Sequence, residues 1–325
     1  MTIPNSTFTE VLSTTLRDFQ NDFADNVTNK NALLTAMKDV GGIKLKTGGE
    51  SIQQQLAYAE NSTFQYYSGY ETLDVSASDT LTSASYDWKQ AVVNITISGL
   101  ERRQNSGEAQ IIDLITSRTK VAMMTMANNI NVGLYSDGTG SSGKQIGGLQ
   151  LIVADDPTTG TVGSIDAATQ TFWRNVAYDA TTDGGAAASS SNIIKYMNTV
   201  YNQLTRGTDK PNLIVADQNY YNFYQQALQS IQRVNVNEGA VAKMASSGFA
   251  ALDYLGVPVV LDNDIPTNHM YFLNTNYLEF CAHENANFTP GEMDKPINQD
   301  AMVMPILFMG NLTCSNRSLQ GVLKD

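Results

Sequence analysis

Between positions 105 and 134 apolar residues recur at Ile111, Ile115, Ala122, Met126 and Ile130, the spacing of one helical face. Asp113, Arg118, Lys120, Asn128 and Asn129 fall on the other face. Asn105 with Glu108 three residues on reads as a capping pair, and the Gly/Ser cluster from Gly138 to Gly148 stops the pattern. A helix of this span is about 45 Å long. Its one-sided stripe predicts a sheet beneath it and solvent or another subunit above it. The rest of the chain is arranged around this spine.

Ahead of it lie two short helical patterns. Phe8, Val11, Leu12, Leu16, Phe19 and Phe23 form one stripe, and Ala32, Leu33, Ala36, Met37 and Val40 a second, ended by Gly41-Gly42. They predict an arm that docks on something apolar. From Ile43 to Ser98 the period changes to two. Ile52, Leu56 and Tyr58 mark one strand, and Ala91, Val93, Ile95 and Ile97 a second. The polar stretch Asn61 to Ser85 separates them, with Tyr66-Tyr67-Ser68-Gly69-Tyr70 as its tip. A two-stranded ribbon is marginal alone in water. With no local sheet to receive it, a neighbouring subunit is the expected partner.

Behind the spine come the apolar run Leu149 to Val153 and a predicted helix from Asp166 to Val176, which contains Phe172 and Trp173. The stretch Thr181 to Ser191 is the best boundary. Beyond it the pattern alternates: a helix from Asn192 to Leu204 with Ile193, Ile194, Met197, Val200 and Tyr201 inward, then a strand from Asn212 to Ala216. A helix from Gln218 to Ile231 follows, then strands Val257 to Leu261 and Met270 to Leu273, making an α/β unit. The runs Tyr277 to His283 and Met302 to Thr313 are expected to pair as a hairpin beneath the spine.

A chain of 325 residues, 42% hydrophobic, buries a sizeable core as one large domain or two ordinary ones. No run of about 18 apolar residues is present, and the start MTIPNSTFTEVLSTTL lacks the basic and apolar regions of a signal peptide, so a soluble, cytosolic chain is expected. In that setting the Asn-x-Ser/Thr triplets at Asn61, Asn94 and Asn311 carry no weight, and Cys281 and Cys314 are expected to be buried reduced thiols. The net charge of −12 argues against a surface built to neutralise phosphates.

Candidate chemistry is thin. Gly138 to Lys144 matches G-x-x-x-x-G-K, but Gln145 stands where the magnesium-binding hydroxyl belongs, and the stretch follows a helix instead of joining strand to helix. His269 and His283 have no partner in a recognisable arrangement, and Cys281-x-His283 supplies two ligands where zinc needs more. No Gly-x-Ser-x-Gly elbow is present, and Asp155-Asp156 and Asp262-x-Asp264 fall at turns, where Asp is expected for backbone reasons. Neither catalysis nor a metal or cofactor is expected.

The order of these parts resembles the HK97-like major capsid protein of tailed double-stranded DNA phages. The matching stretches are Gly48 to Ser98, Asn105 to Leu134, the motif Ala167-Ala-Thr-Gln-Thr-Phe-Trp-Arg-Asn175, and Gly248 to Val260 followed by Asp262-Asn-Asp-Ile-Pro266. The resemblance implies an α+β fold with an N-arm (1–47), an E-loop (48–99), a P-domain (100–185, spine 105–134), an A-domain (186–276) and returning P-domain strands (277–325). It further implies hexamers and pentamers of an icosahedral shell that encloses double-stranded DNA without gripping it, assembled in the host cytoplasm and located in the virion. The implied partners are other copies, a portal, a decoration protein and, since only a short arm precedes the E-loop, a separate scaffolding protein unless assembly needs none. No Lys lies between Lys46 and Lys89, which argues against the Lys–Asn crosslinks of some members. An encapsulin cargo shell is the rival within the fold, and a nucleotide-binding enzyme or a β-rich adhesin the rivals outside it.

The ribbon carries Glu50, Glu60, Glu71, Asp74, Asp79 and Asp87 against Lys89 alone. Arg102, Arg103, Arg118 and Lys120 follow it, so the expected subunit interface joins the acidic ribbon, through Glu71, Asp74, Tyr66, Tyr67 and Tyr70, to these basic residues on the next copy.

Overall fold

Asn31 starts the described chain as a helix cap: its Oδ1 accepts the Leu34 amide at 3.0 Å, and helix α1 (Ala32–Asp39) buries Leu33 and Met37 completely. The computed structural model describes residues 31–104, 108–229 and 251–325, and over 102–117 the backbone alone. The stripe from Phe8 to Phe23, the cap at Asn105, the side chains of Ile111, Asp113 and Ile115, and the end of the helix at Ile231 lie outside the described part.

Strands β1 (Ile43–Lys46), β2 (Ser51–Ala57), β3 (Leu81–Asp87) and β4 (Lys89–Ser98) come next, then helices α2 (Gly99–Gln104) and α3 (Glu108–Leu134). A single helical turn α4 (Leu149–Ile152), a small hairpin β5 (Thr161–Val162) and β6 (Ile165–Asp166), and strand β7 (Val176–Asp179) follow. Helix α5 (Ile193–Leu204), strand β8 (Leu213–Ala216) and helix α6 (Gln218–Gln229) precede β9 (Ala251–Tyr254), β10 (Val257–Leu261) and β11 (His269–Leu273). The chain then runs through β12 (Leu278–Pro290), β13 (Ala301–Cys314) and β14 (Gly321–Lys324).

Two sheets carry the fold. In the first, β1-β12-β13-β4, the long antiparallel pair β12 and β13 is the expected hairpin, and α3 lies across β4 and β13. Ala122, Met126 and Ile130 of the predicted stripe are buried there, joined by Met123, Ala127 and Leu134, against Ile95, Met304, Ile306 and Phe308. The second sheet, β7-β14-β11-β8-β10-β9, is buried on both faces. Leu213 and Val215 of β8 with Tyr271 and Leu273 of β11 join the core under α3, while Ile214, Ala216, Met270 and Phe272 face a second core made with α5 and α6. One sheet therefore glues both layers together, which is why its strands read as continuous apolar runs.

Several expectations are corrected. The ribbon strands are β2 and β3, paired from Ser51↔Asp87 to Ala57↔Leu81, whereas Ala91, Val93, Ile95 and Ile97 sit on β4 in the first sheet. The stretch Asp166 to Val176 is not a helix. The Asp166 carboxylate accepts the Ala168 amide at 3.0 Å and the Thr169 hydroxyl at 3.2 Å, and this local turn chemistry diverts the backbone into a turn and a 3₁₀ segment at Thr171–Trp173. The second sheet also takes in β7, β9 and β14, none of them expected.

Candidate assembly surface

The base of the ribbon is anchored in its own chain, contrary to the expectation of a partnerless element. The β2/β3 register places Ile52, Leu56, Ala84 and Tyr86 on one face, where they close a third core with Val162, Trp173 and Cys281. Trp173 is 1% exposed and donates from Nε1 to the Val162 carbonyl at 2.9 Å. The Tyr86 hydroxyl donates to the Cys314 carbonyl at 2.8 Å, and burial pushes its pKa well up. Gln54 donates to Glu279 at 2.6 Å and to Thr313 at 3.0 Å, bridging the ribbon to β12 and β13. Gly163 has φ +60° and accepts the Ser85 amide; a Cβ there would meet Ala84 at 2.9 Å and the Tyr86 ring at 3.0 Å, so glycine lets the β5/β6 hairpin approach.

Past Ala57 and Leu81 the ribbon leaves this core. The last backbone contact, Tyr58 to Thr80 at 3.0 Å, is followed by an exposed tip. Phe64 is 76% exposed, Tyr66 92%, Tyr70 106% and Val75 92%, with Tyr67 and Leu73 also open. Within the tip Phe64 and Tyr66 stack edge to face at 5.3 Å, while Ser62 and Gln65 reach across it to the Ser78 hydroxyl at 3.3 Å and the Thr72 carbonyl at 3.5 Å. Two of the tip carboxylates hold its turns. Glu71 accepts the Ser68 amide at 3.1 Å, and Asp74 accepts the Ser76 amide at 2.9 Å, a hydrogen bond that lowers the Asp74 pKa.

Arg118 is engaged at home. Its guanidinium forks the Glu101 carboxylate at 2.8 and 3.1 Å and reaches the Thr96 carbonyl at 2.6 Å, and the Arg118 hydrogen bonds hold the Glu101 pKa down at about 2. Lys120 is exposed on α3, and Arg102 and Arg103 lie on α2 with side chains outside the described part. Between β4 and α3 runs a groove of about 690 Å³, lined by Val93, Ile95, Thr96, Arg118, Val121 and Thr125. Its outer wall belongs to β4, an edge strand of the first sheet.

The loop Gly138 to Lys144 is no phosphate cradle. Ser141 and Ser142 take the left-handed conformation with φ 54° and 59°, the loop joins α3 to one turn of helix, and Lys89 caps the Gly143 carbonyl at 2.7 Å. Cys281 and Cys314 are free and buried, and burial lifts the Cys314 thiol to about 12. Among the described residues no group of three or more His, Cys, Asp or Glu is placed to hold a metal, and no helix is long and apolar enough to cross a membrane. His269, read as partnerless, faces Asp155 at 3.1 Å, while His283 sits edge-on to Trp88 at 5.8 Å. The Asp262 carboxylate accepts the Asp264 amide at 3.1 Å, as a turn requires, and also the Tyr135 hydroxyl at 2.7 Å.

No family model and no curated protein matches the sequence. Solved structures do match the fold. The subunit in the capsid asymmetric unit of cyanophage A-1(L) superposes with a TM-score of 0.64 at 17% identity, covering 87% of this chain and 89% of that one. The chain has the HK97-like capsid fold. The capsid of Myoviridae phage XM1 gives a TM-score of 0.54 at 15% identity over 87% of this chain and 90% of that one. The SrpI encapsulin of Synechococcus elongatus PCC 7942 gives 0.52 at 10% identity over 87% and 84%.

Proposed function

We propose that this chain is a major capsid protein that assembles with copies of itself into the hexamers and pentamers of an icosahedral phage head around double-stranded DNA. The observation that carries the reading is the ribbon tip: an aromatic row exposed to solvent at the end of a ribbon whose base is firmly cored. A subunit that rigidly projects Phe64, Tyr66, Tyr67, Tyr70 and Val75 presents apolar area for burial elsewhere, and aromatic anchors of this kind dominate interface energetics. The higher score of the cyanophage capsid over the encapsulin favours the phage reading, as does the length of the ribbon.

In this reading residues 1–47 form the N-arm, 48–99 the E-loop, 100–185 and 277–325 the P-domain and 186–276 the A-domain. The acidic ribbon is steered onto the basic residues Arg102, Arg103 and Lys120 of the next copy, with Arg118 held back by Glu101. Exposed ion pairs contribute only about 0 to 1 kcal/mol each, so they set register and rate, and the tyrosines supply the affinity. Scaffolding, portal and decoration proteins complete the set of partners, and an acidic wall leaves packaged DNA mobile.

Negative-stain microscopy of the purified protein tests the reading: shells or rings of capsomers are expected. The informative deletion removes 61–78 and closes the ribbon with a short Gly-rich turn. A wider cut to Ser85 takes Ala84 out of the third core and unfolds the base. Normal shells from the 61–78 deletion would remove the tip from the interface.

A further inference from the structure

The seam between the spine half of the subunit and the second sheet is polar at several points, among them the paired hydrogen bonds of Ala154 and Asn175 at 3.2 and 2.8 Å, and one of these points is built around a proton. His269 opens β11, and its Nδ1 lies 2.8 Å from the Thr267 carbonyl while its Nε2 lies 3.1 Å from both oxygens of Asp155. All three partners are acceptors. A neutral imidazole has one N–H and would point a lone pair at one of them; only the imidazolium donates from both nitrogens. Asp155 belongs to the loop after α4, whose Leu149, Ile152 and Val153 pack in the core under α3. The bridge therefore ties the loop behind the spine helix to the second sheet. Beside it the Tyr135 hydroxyl, at the end of α3, donates to Asp262 at the end of β10 at 2.7 Å.

We propose that His269 is a proton-operated latch that holds Asp155 and its loop against the start of β11 and loosens that contact as pH rises.

The surrounding charges suit such a device. Lys324 on β14 is the register partner of His269 and lies 3.6 Å from Asp179 on β7. Asp155 and Asp156 face the pair from the loop, Tyr271 lies two residues along on the same strand face at 6.1 Å between rings, and Asp217 accepts the neighbouring Asn268 amide at 2.8 Å. With the ring protonated, two cations sit among these carboxylates; with it neutral, Lys324 alone remains. Burial opposes the charged ring, but the hydrogen bonds to Asp155 and Thr267 outweigh it and raise the His269 pKa, while the bond from His269 lowers that of Asp155. The sign follows: the His269 contribution is complete below the ordinary histidine pKa of about 6.5 and is lost as pH rises through the raised folded value. The Asp155 contribution is lost only on acidification through its lowered one.

The chain has two histidines, so the test is clean in the full-length protein. NMR of imidazole-labelled protein, assigned with the H283Q variant, follows each titration. Hydrogen exchange, normalised for base catalysis, follows amides 152–156 and 267–271 between pH 6 and 9. His269 is expected to titrate above about 6.5, D155N to lower that midpoint by about one unit or more, and wild type to lose about tenfold protection above it. H269Q is expected to show one protection level throughout. A His269 midpoint at or below 6.5, a midpoint unmoved in D155N, or a parallel loss in wild type and H269Q would overturn the latch.

Discussion

Truncating Trp173 tests whether the third core aims the ribbon. The side chain is 1% exposed, contacts both ribbon strands through the cluster of Ile52, Leu56, Ala84 and Tyr86, and satisfies the Val162 carbonyl at 2.9 Å. Trp173→Phe gives up the hydrogen bond to the Val162 carbonyl and part of the ring's packing, which together cost about 1–3 kcal/mol. Trp173→Ala adds a cavity and is expected to cost about 3–5 kcal/mol. At roughly 2 °C per kcal/mol, the lower end for large chains, the alanine variant should melt about 6–10 °C below wild type and the phenylalanine variant about 2–6 °C below. Calorimetry of unassembled subunits reads the shift. Hydrogen exchange then locates it: amides of β2 and β3 should lose protection before those of β12 and β13. Assembly should fall further than stability alone dictates, because a loosened base points the tip at many angles. An alanine variant that melts within about 2 °C of wild type, or exchanges at β2 and β3 as wild type does, would refute a Trp173-centred anchor.

Replacing Tyr66, Tyr67 and Tyr70 together by Ser should leave the melting temperature within about 2 °C of wild type and abolish shells in micrographs, since these rings touch solvent in the isolated subunit. Arg317 is fully buried with no carboxylate partner among the described residues; its Nε meets the Ile152 carbonyl at 2.6 Å and a terminal nitrogen meets Asn175 at 3.1 Å. Arg317→Lys keeps the charge but cannot span both acceptors, and a urea midpoint lowered by the equivalent of about 2–4 kcal/mol with unchanged slope is expected. The Glu101–Arg118 fork is complete above the ordinary Glu range and is lost as pH falls toward the Glu101 value of about 2, so α2 amides should lose protection, measured relative to their intrinsic exchange rates, in acid and in high salt, an effect absent from Glu101→Gln. Arg102 and Arg103 replaced together by Glu should slow assembly and sharpen its salt dependence in light scattering, with Lys at Glu71 and Asp74 partly restoring the rate.

What the sequence disclosed and what it hid divide along one line. Elements with one wet face announce themselves: α3 and α5 carry a clear period. The exposure of the tyrosine tip was equally plain, because a polar stretch offers its aromatic residues no core to enter. Strands buried on both faces carry no alternation, so Gly321–Lys324 left no mark of its own, and in the edge strand Ala251–Tyr254 the alternation of buried Leu252 and Tyr254 around exposed Asp253 is too short to stand out. The true ribbon strand Leu81–Asp87 reads LTSASYD, with only Ala84 and Tyr86 to show its inner face, and the richer run at Ala91 to Ile97 drew the pairing away from it. The Asp155 partner of His269 lies 114 residues away, a separation at which no local pattern speaks.

Strand β14 sits inside the second sheet, between β7 and β11, with Val322 and Leu323 completely buried. Without β14 that sheet is split, with β7 cut off from β11. A variant lacking Gly321–Lys324 leaves β7 and β11 with bare edges and an open core, and faster digestion by an added protease is expected. The joining of β7 to the rest of that sheet thus hangs on one four-residue strand.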